Sequence, residues 1–492
     1  MDLKFIRNIL WPEYPKLPNT RIASYDELLP DGLTMGTLYI GRQGTGKTSS
    51  LARHLVDYFK AYPDRAIFVL DWSGSITDSI FSLIARERNF ESLCGRIIYD
   101  ELGSPDWIIP MPEFSHLYGV HYEEQSQRLA LNLAKLAPEL IKDAPFLAGL
   151  GLREIAPQLF RLITAVSNDQ RETWQATEAK RLLTDEKLLR LVLGKYGNKV
   201  PEAKWFFENI FLQVKFSERE LRSYALLAML GTIEPPETRA RIGSPRPGWT
   251  PREAIKNGKM VLVNGARLIN QRNTQHYLFT QVYSLIMSEM NKRQPGSLID
   301  KPVALVMDEV YSLLSIPGMA EEIGMLAPLY RSRKLELYIV LQALSQLALV
   351  LKQQIWSLGN VVSFGISNFE EAYQLAQQIF VYDPNNIKMS AKSETGQPVM
   401  EPDRGQYLQI ANSIQRFTHR ECIIRRYSSE RVLDKNVLWV KKTKEMSNAP
   451  LYMSILDMKD ILLRERGIKV SEALKVINQR RIKVEKVSLP QI

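Results

Sequence analysis

The stretch Gly41-Arg42-Gln43-Gly44-Thr45-Gly46-Lys47-Thr48 decides the reading of this chain. It satisfies G-x-x-x-x-G-K-[ST], the spacing of a phosphate-cradling P-loop. Thr37-Leu38-Tyr39-Ile40 before it reads as a short buried strand, and Thr48 to Phe59 after it as an amphipathic helix. Strand, loop and helix in that order are the context the motif needs; a bare glycine turn ahead of Lys-Thr has no use for it. Glycines permit the tight backbone path and let N–H groups converge on an anion. The helix N-terminus adds a positive dipole end at the same place. The residues expected to contact ATP are therefore Gly41, Arg42, Gln43, Gly44, Thr45, Gly46, Lys47, Thr48 and Ser49. Lys47 is expected at the β- and γ-phosphates, and the Thr48 hydroxyl on Mg²⁺.

Working outward, Arg65-Ala66-Ile67-Phe68-Val69-Leu70-Asp71 is a second apolar strand with an acid at its carboxyl edge. Ligand crevices in open α/β sheets lie outside that edge, so Asp71 is a candidate nucleotide contact. Arg96 to Asp100 repeats the shape as a third strand. The period then lengthens. From about His121 to Ile233 the apolar residues recur every three or four positions, with Leu129, Leu133 and Leu136 in one stripe and Leu182, Leu183, Leu188, Leu189 and Leu191 in another. That is a helical pattern. Glu234 to Pro251, rich in proline, glycine and arginine, reads as a linker, after which Lys259 to Asn264 resumes as a strand and Asn273 to Asn291 as a long helix. The expected fold is α/β: a RecA-like P-loop NTPase core, a mostly parallel sheet flanked by helices, interrupted by an all-α insertion domain. Its expected divisions are an N-terminal lead-in (1–33), the first part of the core (34–115), the helical insertion (116–250), the second part of the core (251–430) and a basic tail (431–492).

Pro302-Val303-Ala304-Leu305-Val306-Met307-Asp308-Glu309 is a buried strand ending in two acids, the form of a Walker B strand. Asp308 is placed to hold Mg²⁺, directly or through water, and Glu309 to polarise the attacking water. The next strand, Tyr338 to Leu341, ends at Gln342, which at a strand tip beside the γ-phosphate can report hydrolysis by hydrogen bonding, or can simply cap the strand. The basic cluster before it, Arg331-Ser332-Arg333-Lys334, offers two candidate arginine fingers, Arg331 and Arg333, for the ATP of a neighbouring subunit.

Together these pieces resemble the HerA/FtsK superfamily of DNA-pumping ATPases, most closely the type IV secretion coupling proteins. The matching segments are Gly41 to Thr48, Ile67 to Gly74, Val303 to Glu309, Arg333-Lys334 with Gln342 to Leu347, and Leu358 to Gly365 with Glu370-Glu371-Ala372, about half of the chain. The resemblance implies hydrolysis at the interfaces of a homo-hexamer, with DNA moved through contacts to its backbone. Two features depart from the pattern. Coupling proteins usually carry N-terminal transmembrane helices, and no run of eighteen or more apolar residues occurs here. The glycine that often follows the Arg-Lys pair is replaced by Leu335.

Composition agrees with a polyanionic partner. Over 492 residues the formal net charge is +10, and residues 431–492 contribute most of it, with 14 Lys and Arg against 7 Asp and Glu. Lys441-Lys442-Thr443-Lys444 and Arg480-Arg481-Ile482-Lys483 are the clusters. Such segments bind phosphates without reading sequence, although Ile461, Leu462, Val470 and Leu474 also supply helical spacing. Two distant cysteines, Cys94 and Cys422, give no disulfide framework and suit a reducing cytoplasm. The five histidines form no metal-ligand pattern.

The expectation is a cytoplasmic ATP-driven DNA translocase using ATP and Mg²⁺, with a relaxase, a nuclease or capsid proteins as candidate partners. A genome-packaging or DNA-processing motor of a virus or mobile element shares every motif, and a HerA-like partner of a nuclease in repair or phage defence is a second alternative. A regulatory NTP switch or assembly scaffold is the reading from another class.

Overall fold

A computed structural model of the chain describes residues 36–136, 149–170, 174–314, 316, 319–347, 349–380, 389–392, 398–400, 403–425, 437–440 and 449–487. Its strands in chain order are β1 (Thr37–Ile40), β2 (Ala66–Asp71), β3 (Ile97–Glu101), β4 (Trp107–Ile108), β5 (Met260–Asn264), β6 (Val303–Asp308) and β7 (Leu335–Leu341). There follow β8 (Asn360–Ser363), β9 (Met389–Lys392), β10 (Pro398–Met400), β11 (Cys422–Arg425), β12 (Val437–Val440) and β13 (Ile468–Lys469). Nine of them form one sheet in the order β12-β11-β8-β1-β7-β6-β2-β5-β3. From β8 to β3 every neighbouring pair is parallel, whereas β11 and β12 are added antiparallel at one edge. β1, β2, β5, β6 and β7 are buried along their whole length, as unbroken apolar strands covered on both faces must be.

Chain direction places the ligand edge. From β1 the chain crosses to β2 on one side, and from β7 it crosses back over β1 to β8. Neighbours β1 and β7 thus send their connections opposite ways, which opens a crevice at their carboxyl ends. α1 (Lys47–Ala61) follows β1, and α2 (Ser75–Ile84) follows β2.

The excursion between β4 and β5 is helical, as the periodicity from about His121 predicts. It includes α3 (Tyr122–Lys135), α4 (Ala156–Gln170), α5 (Glu186–Tyr196) and α6 (Phe216–Leu230). Leu129, Leu133, Leu182, Leu188 and Leu189 are buried in an apolar core continuous with that of the sheet, while Leu191 is half-exposed.

The stretch expected as a linker is ordered structure instead. Pro235 caps and Pro236 opens α7 (Pro236–Gly243), using proline as a helix starter rather than a breaker. Arg241 of α7 forms a buried bidentate pair with Asp100 at 2.6 and 2.9 Å and donates to the Ile109 carbonyl at 2.8 Å. The Trp249 indole N–H reaches the same carboxylate at 3.2 Å. These contacts pin the return path of the insertion to the end of β3. α8 (Arg272–Asn291) then leads towards β6.

The basic tail is likewise built into the molecule over its described residues. α11 (Ile455–Arg466), named after α9 (Phe369–Ile379) and α10 (Asp403–Gln415), packs on β3 and α2, and α12 (Val470–Val487) packs on α7. Arg480, counted above among candidate phosphate contacts, is 4% exposed and pairs with Glu178 at 2.6 Å. Its charge is spent inside the protein. Residues 441–444, the other basic cluster, lie outside the described residues.

Candidate nucleotide site

The phosphate loop closes the crevice between β1 and β7. Gly41, Gly44 and Gly46 have φ of 154°, 76° and 95°, a path that side chains disfavour. Gly46 is the left-handed N-cap of α1, and no acidic residue occupies that helix's first turn. Its N-terminal dipole and free amides therefore face the crevice without an internal anion. Lys47 is buried and donates to the Gly41 carbonyl and, at 2.9 Å, to the Arg42 carbonyl. Burial pulls its amine down to about 8, against the opposing pull of Asp308 and Glu309.

Strand register brings the acids to the same edge. Asp71 and Asp308 are direct partners across the β2–β6 pair. Asp308 is 3% exposed, and its carboxyl is pushed up to about 7 by burial first, then by the negative charges of Asp71 and Glu309. It accepts from the Glu309 amide at 3.0 Å and from the Ser75 hydroxyl at 3.4 Å. Glu309 is half-buried with φ of 50°, one of three non-glycine residues with positive φ among the described residues. Burial and the Asp71 charge raise its carboxyl above the usual range, and Lys47 pulls it back. Strain of this kind persists only where surrounding structure enforces it.

Asp71, expected as a nucleotide contact, has a structural task at this edge. Its two oxygens accept from the Gly74 and Thr77 amides, both at 2.8 Å, so it holds the turn into α2 and adds negative charge beside Asp308. Gln342 directly follows β7, whose Leu341 is in register with Ile40 and accepts from the Gly41 amide at 3.3 Å. Its side chain is exposed at the crevice, while its own amide is capped by Gln346 Oε1 at 3.1 Å. The loop is steadied further by Glu371, which accepts from the Ser345 amide at 2.8 Å.

Arg331 and Arg333 precede β7 and so lie at the opposite edge of the sheet. Seven strand residues, about 23 Å at strand rise, separate that edge from the phosphate loop, so neither arginine serves the site of its own chain. Arg333 donates to the backbone and side-chain oxygens of Asn291 at 3.0 and 2.7 Å.

One contribution has no local sequence signal. The segment before β11 covers the outside of the phosphate loop. His419 Nδ1 lies 2.8 Å from the Gly44 carbonyl, and the Arg420 amide donates to the Thr45 carbonyl at 2.9 Å. These partners are far apart in the chain, 375 residues for His419 and Gly44.

Three carboxylates against one ammonium make an edge suited to a hard cation with oxygen ligands. No cluster of three or more His, Cys, Asp and Glu side chains able to hold a metal occurs among the described residues. A Mg²⁺ that keeps most of its shell from water and phosphates needs only one or two protein ligands, and Asp308 and Thr48 fit that donor set.

No protein-family profile matches the chain, and no curated protein matches it. Solved structures do. The bacterial conjugative coupling protein TrwBΔN70 in its unbound monoclinic form is 14% identical with a TM-score of 0.56, over 89% of this chain and 95% of that one. TrwB with ADP and Mg²⁺ is 15% identical with a TM-score of 0.54, over 89% and 96%. TrwB with a non-hydrolysable ATP analogue is 14% identical with a TM-score of 0.54, over 90% and 97%. The chain has the fold of these proteins, a RecA-like P-loop NTPase fold with a helical excursion in the sheet.

Proposed function

We propose that this chain is an ATP hydrolase of the coupling-protein type, a motor whose turnover moves DNA. One observation carries the reading. Lys47 and the Asp308–Glu309 pair meet across β7 at the crevice of a fold shared with TrwB over about nine-tenths of the chain. Lys47 and the loop amides of 41–49 hold the triphosphate, with Thr48 and Asp308 as the protein ligands of Mg²⁺. The ion, when bound, neutralises charge on the β- and γ-phosphate oxygens. Glu309 accepts the proton of the attacking water, and its raised affinity for protons suits that task at neutral pH. Gln342 hydrogen-bonds the γ-phosphate from the tip of β7.

The remote edge that carries Arg331 and Arg333 favours an arginine finger acting in trans, as in a homo-hexameric ring. DNA is held through its backbone, and a relaxase, nuclease or capsid protein supplies the process. No described helix is long and apolar enough to cross a membrane, and we place the motor in the cytoplasm. ATP turnover with and without single- and double-stranded DNA tests the reading, with Lys47→Ala as the null. Turnover that depends on Lys47 but responds to no DNA sinks the motor and leaves the regulatory switch. Mixing Arg331→Ala or Arg333→Ala subunits with Glu309→Gln subunits tests the finger: a trans role requires that one mixture regain turnover.

A further inference from the structure

The phosphate loop's carbonyls are almost all engaged from outside or from its own lysine. Gly41 and Arg42 oxygens accept from Lys47, and the Arg42 oxygen also accepts from the Thr45 hydroxyl at 2.8 Å. The Gly46 oxygen accepts from the Ser50 amide at 3.0 Å within α1. Of the three carbonyls between, those of Gly44 and Thr45 are held by His419 and by the Arg420 amide. A carbonyl only accepts, so His419 Nδ1 carries the hydrogen in that contact.

A trans peptide is planar, with its C=O and the next N–H pointing in opposite directions. A grip on the Gly44 carbonyl from outside therefore aims the Thr45 amide inward, and a grip on the Thr45 carbonyl aims the Gly46 amide inward. Each bond also polarises its peptide and strengthens the amide as a donor. We propose that the segment Thr418–Arg420 is an outer brace of the phosphate loop, with His419 a positioning residue that presents the Thr45 amide to the phosphates of the nucleotide. This rests on the nucleotide reading given above.

The brace is itself held in place. The Thr418 amide donates to Glu421 Oε2 at 2.7 Å, Gln415 of α10 donates to the Ser367 carbonyl at 2.9 Å, and Arg420 keeps a left-handed φ of 69°. A Cβ on Gly46 would stand 2.8 Å from the Arg420 Cγ, so loop and brace are in close contact. His419 is exposed, and its role in the apolar core is nil. A change there alters the loop without emptying a packed site.

Titration of the full chain with a fluorescent ATP analogue and Mg²⁺, alongside steady-state ATPase, tests this. His419→Ala removes one hydrogen bond, and affinity falls about 3- to 10-fold. KM rises in step, while kcat stays within about twofold because Lys47 and Glu309 are untouched. His419→Asn puts an amide donor near the position of Nδ1 and recovers most of the loss. The unfolding midpoint without nucleotide stays the same in all three proteins. The brace is refuted if His419→Ala binds like the parent, if Asn rescues nothing, or if the affinity loss comes with an equal drop in nucleotide-free stability. If the parent binds and Lys47→Ala does not, while His419→Ala matches the parent, the brace alone falls. If the parent and Lys47→Ala both fail to bind, the nucleotide reading falls with it.

Discussion

Glu309 sits where its backbone is disfavoured and its charge is crowded, so two replacements separate the chemistry from the cost. At φ of 50° a residue with a Cβ loses roughly 1–2 kcal/mol against an ordinary conformation. Glu309→Gln keeps that strain but removes a negative charge facing Asp71 and Asp308. Glu309→Gly removes the strain too, and gives back about 0.5–1 kcal/mol through the freer unfolded chain. In the nucleotide-free protein both replacements are expected to be at least as stable as the parent, with Gly equal to Gln or above it by up to about 1.5 kcal/mol. Turnover moves the other way. Loss of a general base costs roughly 100- to 10,000-fold in kcat, and both variants should fall within that range while still binding nucleotide. Urea unfolding without nucleotide and steady-state ATPase read the two effects separately. A Glu309→Gln protein that hydrolyses ATP within about tenfold of the parent would falsify the general-base assignment. A Glu309→Gly protein less stable than Glu309→Gln by more than about 1 kcal/mol would show that the left-handed backbone is not strained there.

Two further outcomes follow from buried charges. Asp308 titrates near 7 in the folded protein against 3.8 otherwise, so its stabilising contribution is complete below about 4 and is lost as pH rises through 7. The nucleotide-free protein should therefore lose stability across that window, and Asp308→Asn should flatten the slope in unfolding curves taken from pH 4 to 8. Arg241→Ala leaves Asp100 buried without its cation, a loss of about 3–5 kcal/mol in urea unfolding. Replacing Asp100 and Arg241 together by apolar residues of similar volume should restore most of it, since a buried ion pair nearly breaks even against apolar packing.

What the sequence disclosed was local. The strand, loop and helix from Thr37 to Ala61 are contiguous, and so is the run ending Asp308-Glu309; a short window contains everything that defines them. The insertion was visible because a helical period persists for over 100 residues. Misreadings occurred where a residue type has two uses. Pro235 and Pro236 begin a helix, so a segment that looked like a linker is α7. Arg480 is buried on Glu178, so a cluster expected to contact phosphates is partly structural. Asp71 stands at a strand end as expected, and its bonds to the Gly74 and Thr77 amides belong to a turn with no signal in the sequence. The brace was out of reach altogether, because His419 and Gly44 meet across 375 residues of chain and neither neighbourhood carries a pattern.

These particulars share a direction. Burial and mutual repulsion hold Asp308 and Glu309 reluctant to ionise, Glu309 keeps a disfavoured backbone, and burial weakens the charge of Lys47. Each is a cost to the nucleotide-free protein, concentrated at the carboxyl ends of β1 and β6. A triphosphate with a divalent cation supplies the charges this edge lacks: anions for Lys47 and the loop amides, a cation for the acids. Binding then stabilises the folded state beyond its direct contacts, by relieving repulsion already present. The same edge is joined through Glu371 to α9 and through His419 and Arg420 to the strand β11. Direct hydrogen bonds thus connect the loops around the site to α9 and to the segment that enters β11. For the motor proposed above, such links are the coupling needed between a small site and the large surfaces that must move.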